Sequence, residues 1–171
     1  MATVNVLRTA ICLSLAVSGC ASNTSSPLVP LLPRERALID WWLVCIECTA
    51  ALDSIKALGL RNSAAVIDAL NAALLKGPTP ASITSAESAL VTSFIRDSTF
   101  RARTGLGLIP FRSAYVAENR DRYRNGYQIR GAIGLGWIGT PAAKTRLDSA
   151  AVQPLPVVVK TAVIYARDSL P

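Results

Sequence analysis

The chain has 171 residues, 51% of them apolar and 17% charged, with a formal net charge of +7 and no histidine. That length supports one domain with a real core and falls short of two ordinary ones, and so few charges exclude an intrinsically disordered chain. Lacking histidine, the chain has no access to the commonest general base, the usual serine and cysteine hydrolase machinery, or the commonest zinc ligand.

Residues 1–8 carry a single side-chain charge, Arg8, residues 10–17 are apolar, and the small residues Ser18 and Gly19 precede Cys20. A charged start, an apolar stretch too short to span a bilayer and a small-residue exit make the layout of a secretory leader. The run Leu15-Ala16-Val17-Ser18-Gly19-Cys20 resembles the lipobox of bacterial lipoproteins. That resemblance implies cleavage after residue 19 and a diacylglyceryl thioether on Cys20. Because Ala21 rather than Asp follows, it also implies an address at the outer membrane, facing the periplasm. Residues 20–33 are rich in Ser and Thr and then in Pro, which lacks an amide proton and constrains its neighbours, so they read as a tether.

Residues 34–171 read as one helical domain. Ala and Leu dominate its apolar set and aromatics are few, a composition that favours helix packed on helix. A first helix over 34–44 carries Leu38, Trp41 and Trp42; a second over 50–58 presents Leu52, Ile55 and Leu58 and stops at Gly59. Residues 63–76 place Val66, Ile67, Leu70 and Leu74 on one stripe and end at Gly77-Pro78. Thr79-Pro80 opens the next helix as N-cap and first helical residue, with Ile83, Ala86, Leu90 and Phe94 recurring on one face. After a Gly-rich break over 104–110, residues 113–124 are helical and polar, and Asn125-Gly126 reads as a break or kink. Residues 127–138 are apolar and helical by pattern despite three glycines, Thr140-Pro141 repeats the earlier opening device, and a last helix covers about 156–169. The expected fold is all-α, an irregular array of about seven helices.

Residues 51–74 and 127–151 can be laid side by side: an apolar helix ending Ala/Gly-Leu-Gly, a short turn, paired alanines, then a helix with an inward Leu. The stretch Leu135-Gly136-Trp137-Ile138-Gly139-Thr140-Pro141-Ala142-Ala143 resembles HEAT-type helical repeats, and residues 157–170 look like the first helix of a further unit. The resemblance covers about half the mature chain and implies antiparallel helix pairs of the α-solenoid kind, which bury one face by stacking and leave an extended surface free. Residues 78–125 depart from it.

Three patterns invite chemistry. Gly134, Gly136 and Gly139 spell a dinucleotide fingerprint, but a helical pattern precedes them, Pro141 follows, and no acid stands about 20 residues on, so close helix approach explains them better. Cys45 and Cys48 form a Cys-x-x-Cys pair. Thr49 after it excludes covalent haem attachment, and a zinc site would need carboxylates to complete it. Residues 38–58 superficially resemble a thioredoxin-like active-site segment, though Val44 stands where that family has Trp. A local disulfide at a helix junction, favoured by export to an oxidising compartment, and two buried thiols are the plainer readings. Finally, eight arginines fall within residues 96–130 against Asp97, Glu118 and Asp121. They read either as a solvated face or as a docking patch for an acidic protein, lipid headgroup or cell-wall polymer, with export arguing against nucleic acid.

The sequence therefore leads to a non-catalytic, lipid-anchored interaction or scaffold protein of the bacterial envelope, needing no cofactor or metal. Its partner is expected to be a protein or acidic envelope component contacting Arg120, Tyr123, Arg124 and Tyr127. The alternative is an envelope thiol-disulfide oxidoreductase using Cys45 and Cys48.

Overall fold

The Thr-Pro steps do set helix starts: Thr79 Oγ1 accepts from the Ser82 amide at 3.2 Å, and Thr140 Oγ1 from the Ala143 amide at 3.4 Å. The structure, a computed structural model, describes residues 29–45, 49–61, 63–107 and 111–170. Its elements are α1 (Pro33–Val44), α2 (Thr49–Arg61), α3 (Ser63–Lys76), α4 (Pro80–Thr104), α5 (Arg112–Ile138), α6 (Pro141–Ala151) and α7 (Val157–Ser169), with no strand among the described residues. Residues 1–28, which hold the expected leader and most of the expected tether, lie outside the described residues. Pro33, placed in the tether above, is the first residue of α1, where a missing amide proton costs nothing.

Two boundaries differ from expectation. Gly59 does not stop the second helix: α2 runs through it to Arg61, and a Cβ at Gly59 would lie 2.6 Å from the Ile138 side chain of α5, so the glycine serves close approach. Asn125-Gly126 neither breaks nor kinks the chain into two elements; α5 runs unbroken for 27 residues, about 40 Å at 1.5 Å per residue. Asn and Gly are weak helix formers, but contacts along both halves of α5 outweigh roughly 1 kcal/mol of intrinsic preference.

α5 is the hub: it touches each of the six other helices. The two stretches compared above do adopt the same helix–turn–helix course, α2 to α3 and the inner half of α5 to α6. α2, α3 and α6 each pack against the α5 rod. The core takes Ile39, Trp42 and Leu43 from α1, Ile55 and Leu58 from α2, and Val66, Leu70 and Leu74 from α3. Leu135 of α5, Leu147 of α6 and Val159 and Val163 of α7 complete it.

Glycine lets the rod sit that close. A Cβ at Gly131 would lie 2.8 Å from both Leu70 O and Leu74 N of α3, and one at Gly136 would lie 2.6 Å from Ala166 O of α7. The dinucleotide-like spacing thus falls on the last turns of a helix and serves helix approach, while Gly139 ends that helix at φ 69°.

α5 also satisfies carbonyls that neighbouring helices leave open at their ends. Buried Gln128 donates from Nε2 to Leu74 O at 2.8 Å, and the Arg130 guanidinium donates to Leu43 O at 3.4 Å. Trp42 Nε1 donates back to Arg130 O at 3.1 Å, tying α1 to the rod.

The other end of the molecule is different in kind. Among the described residues α4 buries no residue and contacts no helix but α5, and the buried residues of α5 begin only at Gln128. Contacts descend in register: Glu87 meets Arg120, while Phe94 and Asp97 meet Tyr115. α4 and the outer half of α5 therefore form an antiparallel two-helix arm standing off the core. The stripe of Ile83, Ala86, Leu90 and Phe94 is present, but each is only half-buried, because one helix alone covers it.

Candidate functional site

Arg120 and Arg124 lie one turn apart on α5, as their spacing requires, yet their surroundings differ. Arg120 Nη1 donates to Glu87 Oε1 at 3.2 Å across the arm, with both side chains roughly a third to two-fifths exposed. Its guanidinium is engaged inside the protein. Arg124 is exposed, and no carboxylate pairs with it among the described residues. Its stem faces Gly77 at the base of the arm.

Tyr123 and Tyr127 stand on the same side, ring centroids 6.5 Å apart and planes tilted by 49°. Tyr123 lines a shallow cleft of about 480 Å³ with Val44, Ala86 and Ala89; Tyr127 lines a larger one of about 950 Å³ with Pro30, Arg36 and Pro80. Burial pushes both phenols above their ordinary value, and for Tyr127 the nearby Asp40 carboxylate adds to it. Of the four candidate contact residues the structure thus brings two tyrosines and Arg124 to an open surface and gives Arg120 to the joint between α4 and α5.

Towards the free end, Tyr115 holds the arm together. Its OH donates to Asp97 Oδ2 at 3.0 Å and its ring meets Phe94 at 5.4 Å. Burial raises its phenol, and the hydrogen bond to Asp97 raises it further. Asp97 also pairs with Arg96, and Glu118 with Arg122. A cleft of about 590 Å³ opens here, walled by Phe100, Arg101, Leu106 and Tyr115.

Beyond it lies a cluster that sequence pattern did not single out. Ile95, Phe100, Leu106 and Phe111 are 58%, 60%, 65% and 84% exposed, beside Arg101, Arg103 and Arg112, for which no ion pair exists among the described residues. The arginines were visible as a group; the apolar residues between them were not readable as exposed without the arm. A stripe that continued past Phe94 would have marked a covered face, and Phe100 lies off that stripe.

Cys45 caps the C-terminus of α1, its amide donating to Trp41 O at 3.0 Å, and it is disulfide-bonded. Cys48 and the lipidation candidate Cys20 lie outside the described residues. Among the described residues no three His, Cys, Asp or Glu side chains group as a metal site would need, and no helix is long and apolar enough to cross a membrane.

No family model, no curated protein and no solved structure matches the chain. The likeness of residues 135–143 to a HEAT-type unit therefore stands on those residues alone.

Proposed function

We propose that this chain is a non-catalytic interaction protein of a bacterial envelope, held at the periplasmic face of the outer membrane by a lipid on Cys20. The observation that carries the reading is the arm. Ordering each of its residues costs about 1–2 kcal/mol of backbone entropy, and α4 offsets this with no fully buried side chain. What the arm supplies is surface rather than stability. The arm's acids Glu87, Asp97, Glu118 and Asp121 each lie within ion-pair reach of an arginine, which supports contact over acid–base chemistry. Arg124, Tyr123 and Tyr127 at its base offer a cation beside two half-buried rings, a composition suited to an acidic partner.

Two measurements test this. Intact mass of the membrane-extracted protein should show residues 1–19 removed and acyl chains on the new first residue, and Cys20→Ser should carry no acyl chain; an uncut, unmodified chain refutes the anchor. Capture from envelope extract should fall at least fivefold for Arg124→Ala. Unchanged capture refutes contact at the base of the arm.

A further inference from the structure

We infer that the free end of the arm is a second membrane contact, docking on an anionic phospholipid surface through Phe100, Leu106, Phe111, Arg101, Arg103 and Arg112. The inference rests on the envelope location proposed above only for the presence of a membrane. The apolar members of the set are 60%, 65% and 84% exposed. They sit at the end of the helical hairpin, where Phe100 and Leu106 edge the cleft shared with α5 and among the described residues no third helix contacts α4.

Charge complementarity selects the occupant. Across residues 95–107, 111 and 112 the charged side chains are Arg96, Arg101, Arg103 and Arg112 against Asp97 alone. Asp97 is already bound by Arg96 and by the Tyr115 hydroxyl, so three guanidinium groups remain without a partner among the described residues. Arginine beside exposed aromatic and aliphatic side chains suits the boundary between headgroups and acyl chains. The rings enter the apolar layer while the guanidinium groups stay with the phosphates, their stems lying along the rings. Phe111, Arg103 and Arg112 lie outside the cleft that Phe100, Arg101 and Leu106 wall, so the set as a whole is a surface rather than a small-molecule site, and a protein partner would have to present a matching groove.

Reach points the same way. The chain leaves the core at the base of the arm, where Pro30 shares a cleft with Pro80 and Tyr127. From there α4 carries the tip outward by about 36 Å over its 25 residues. Pro30 lies ten residue steps beyond Cys20, and fully extended these span at most about 36 Å. A lipid at Cys20 and the tip of the arm can therefore rest on the same leaflet, with the core held off it by the arm's length.

The test uses residues 20–171 carrying Cys20→Ser, which keep every core residue described above and have neither leader nor acyl chain, so failure here leaves the lipidation result untouched. Co-sedimentation is measured with vesicles of phosphatidylglycerol and phosphatidylethanolamine, and with phosphatidylcholine alone. Binding to the anionic vesicles should fall roughly a hundredfold when Arg101, Arg103 and Arg112 are all changed to Ser. It should fall about tenfold or more for Phe100→Ser with Phe111→Ser, and steeply in 0.5 M salt. Arg34→Ser with Arg61→Ser, away from the tip, should change it less than threefold. Far-ultraviolet circular dichroism verifies that each variant keeps its helix content. No binding, binding equal on both vesicle types, or loss as great in the Arg34/Arg61 variant would each overturn the inference. Tip variants that lose a captured envelope protein while binding vesicles normally would overturn it in favour of a protein partner.

Discussion

Two glycines of the same helix should respond to the same substitution with opposite signs. In isolation, Gly→Ala inside a helix stabilises by about 0.5–1 kcal/mol, because Ala has less backbone freedom to lose. At Gly126 the new methyl meets only the end of the Arg130 side chain, at 3.6 Å, an ordinary contact. Gly126→Ala should therefore realise the full gain. At Gly131 it meets Leu70 O and Leu74 N at 2.8 Å and Leu74 Cα at 3.1 Å, all backbone of α3. Neither atom can swing aside, so α3 and α5 must separate. Overpacking of this kind costs about 1–3 kcal/mol, and with backbone on both sides the upper half of that range applies. Net of the propensity gain, Gly131→Ala should destabilise by about 1–2 kcal/mol, leaving the two variants about 2–3 kcal/mol apart. In a domain of this size each kcal/mol moves the melting temperature by about 3 °C, so the midpoints should differ by about 6–9 °C. Guanidinium unfolding followed by circular dichroism reads the same difference as a shift in midpoint at constant slope. If Gly131→Ala is as stable as Gly126→Ala, α3 and α5 do not approach as described and the hub packing is refuted.

The Arg120–Glu87 pair should show a coupling energy of about 0.5–1 kcal/mol in a double-mutant cycle, as half-exposed pairs do, and less at high salt; zero coupling would mean the two arm helices are not in this register. Alkaline pH should weaken the fold through Tyr115, Tyr123 and Tyr127, whose phenols burial holds above their ordinary value. A raised pKa in the folded state means that the stabilisation is complete below the unfolded-state value of about 10 and is lost as pH climbs through the folded-state value. Unfolding midpoints measured from pH 8 to 11 should thus hold steady and then fall, with a smaller fall in Tyr115→Phe; an identical fall in that variant would remove Tyr115 from the account.

Helix starts and stops were legible because they depend on local chemistry. Thr79-Pro80, Thr140-Pro141 and Gly77-Pro78 each act within one turn, and the structure places helix ends at all three. The union of residues 113–124 and 127–138 was not legible, since what holds Asn125-Gly126 helical is contact with other elements on both sides. A stripe such as Leu70-Leu74 says that a face is buried but not against what, so the hub role of α5 could not be read from periodicity. The arginines make the same point. Arg120 and Arg124 are equivalent in spacing, and only Glu87, 33 residues earlier in the chain, separates their roles. Conversely, the exposure of Phe100 and Phe111 could not be read from the pattern, because it follows from the arm standing off the core.

An unbroken α5 has a mechanical consequence. Its outer half belongs to the arm and its inner half carries Gly131 and Gly136 into close quarters with α3 and α7. With no loop between the halves to absorb a rotation, any load borne at the far end is delivered as torque to these close contacts. The chain is built as a lever whose fulcrum is its own core.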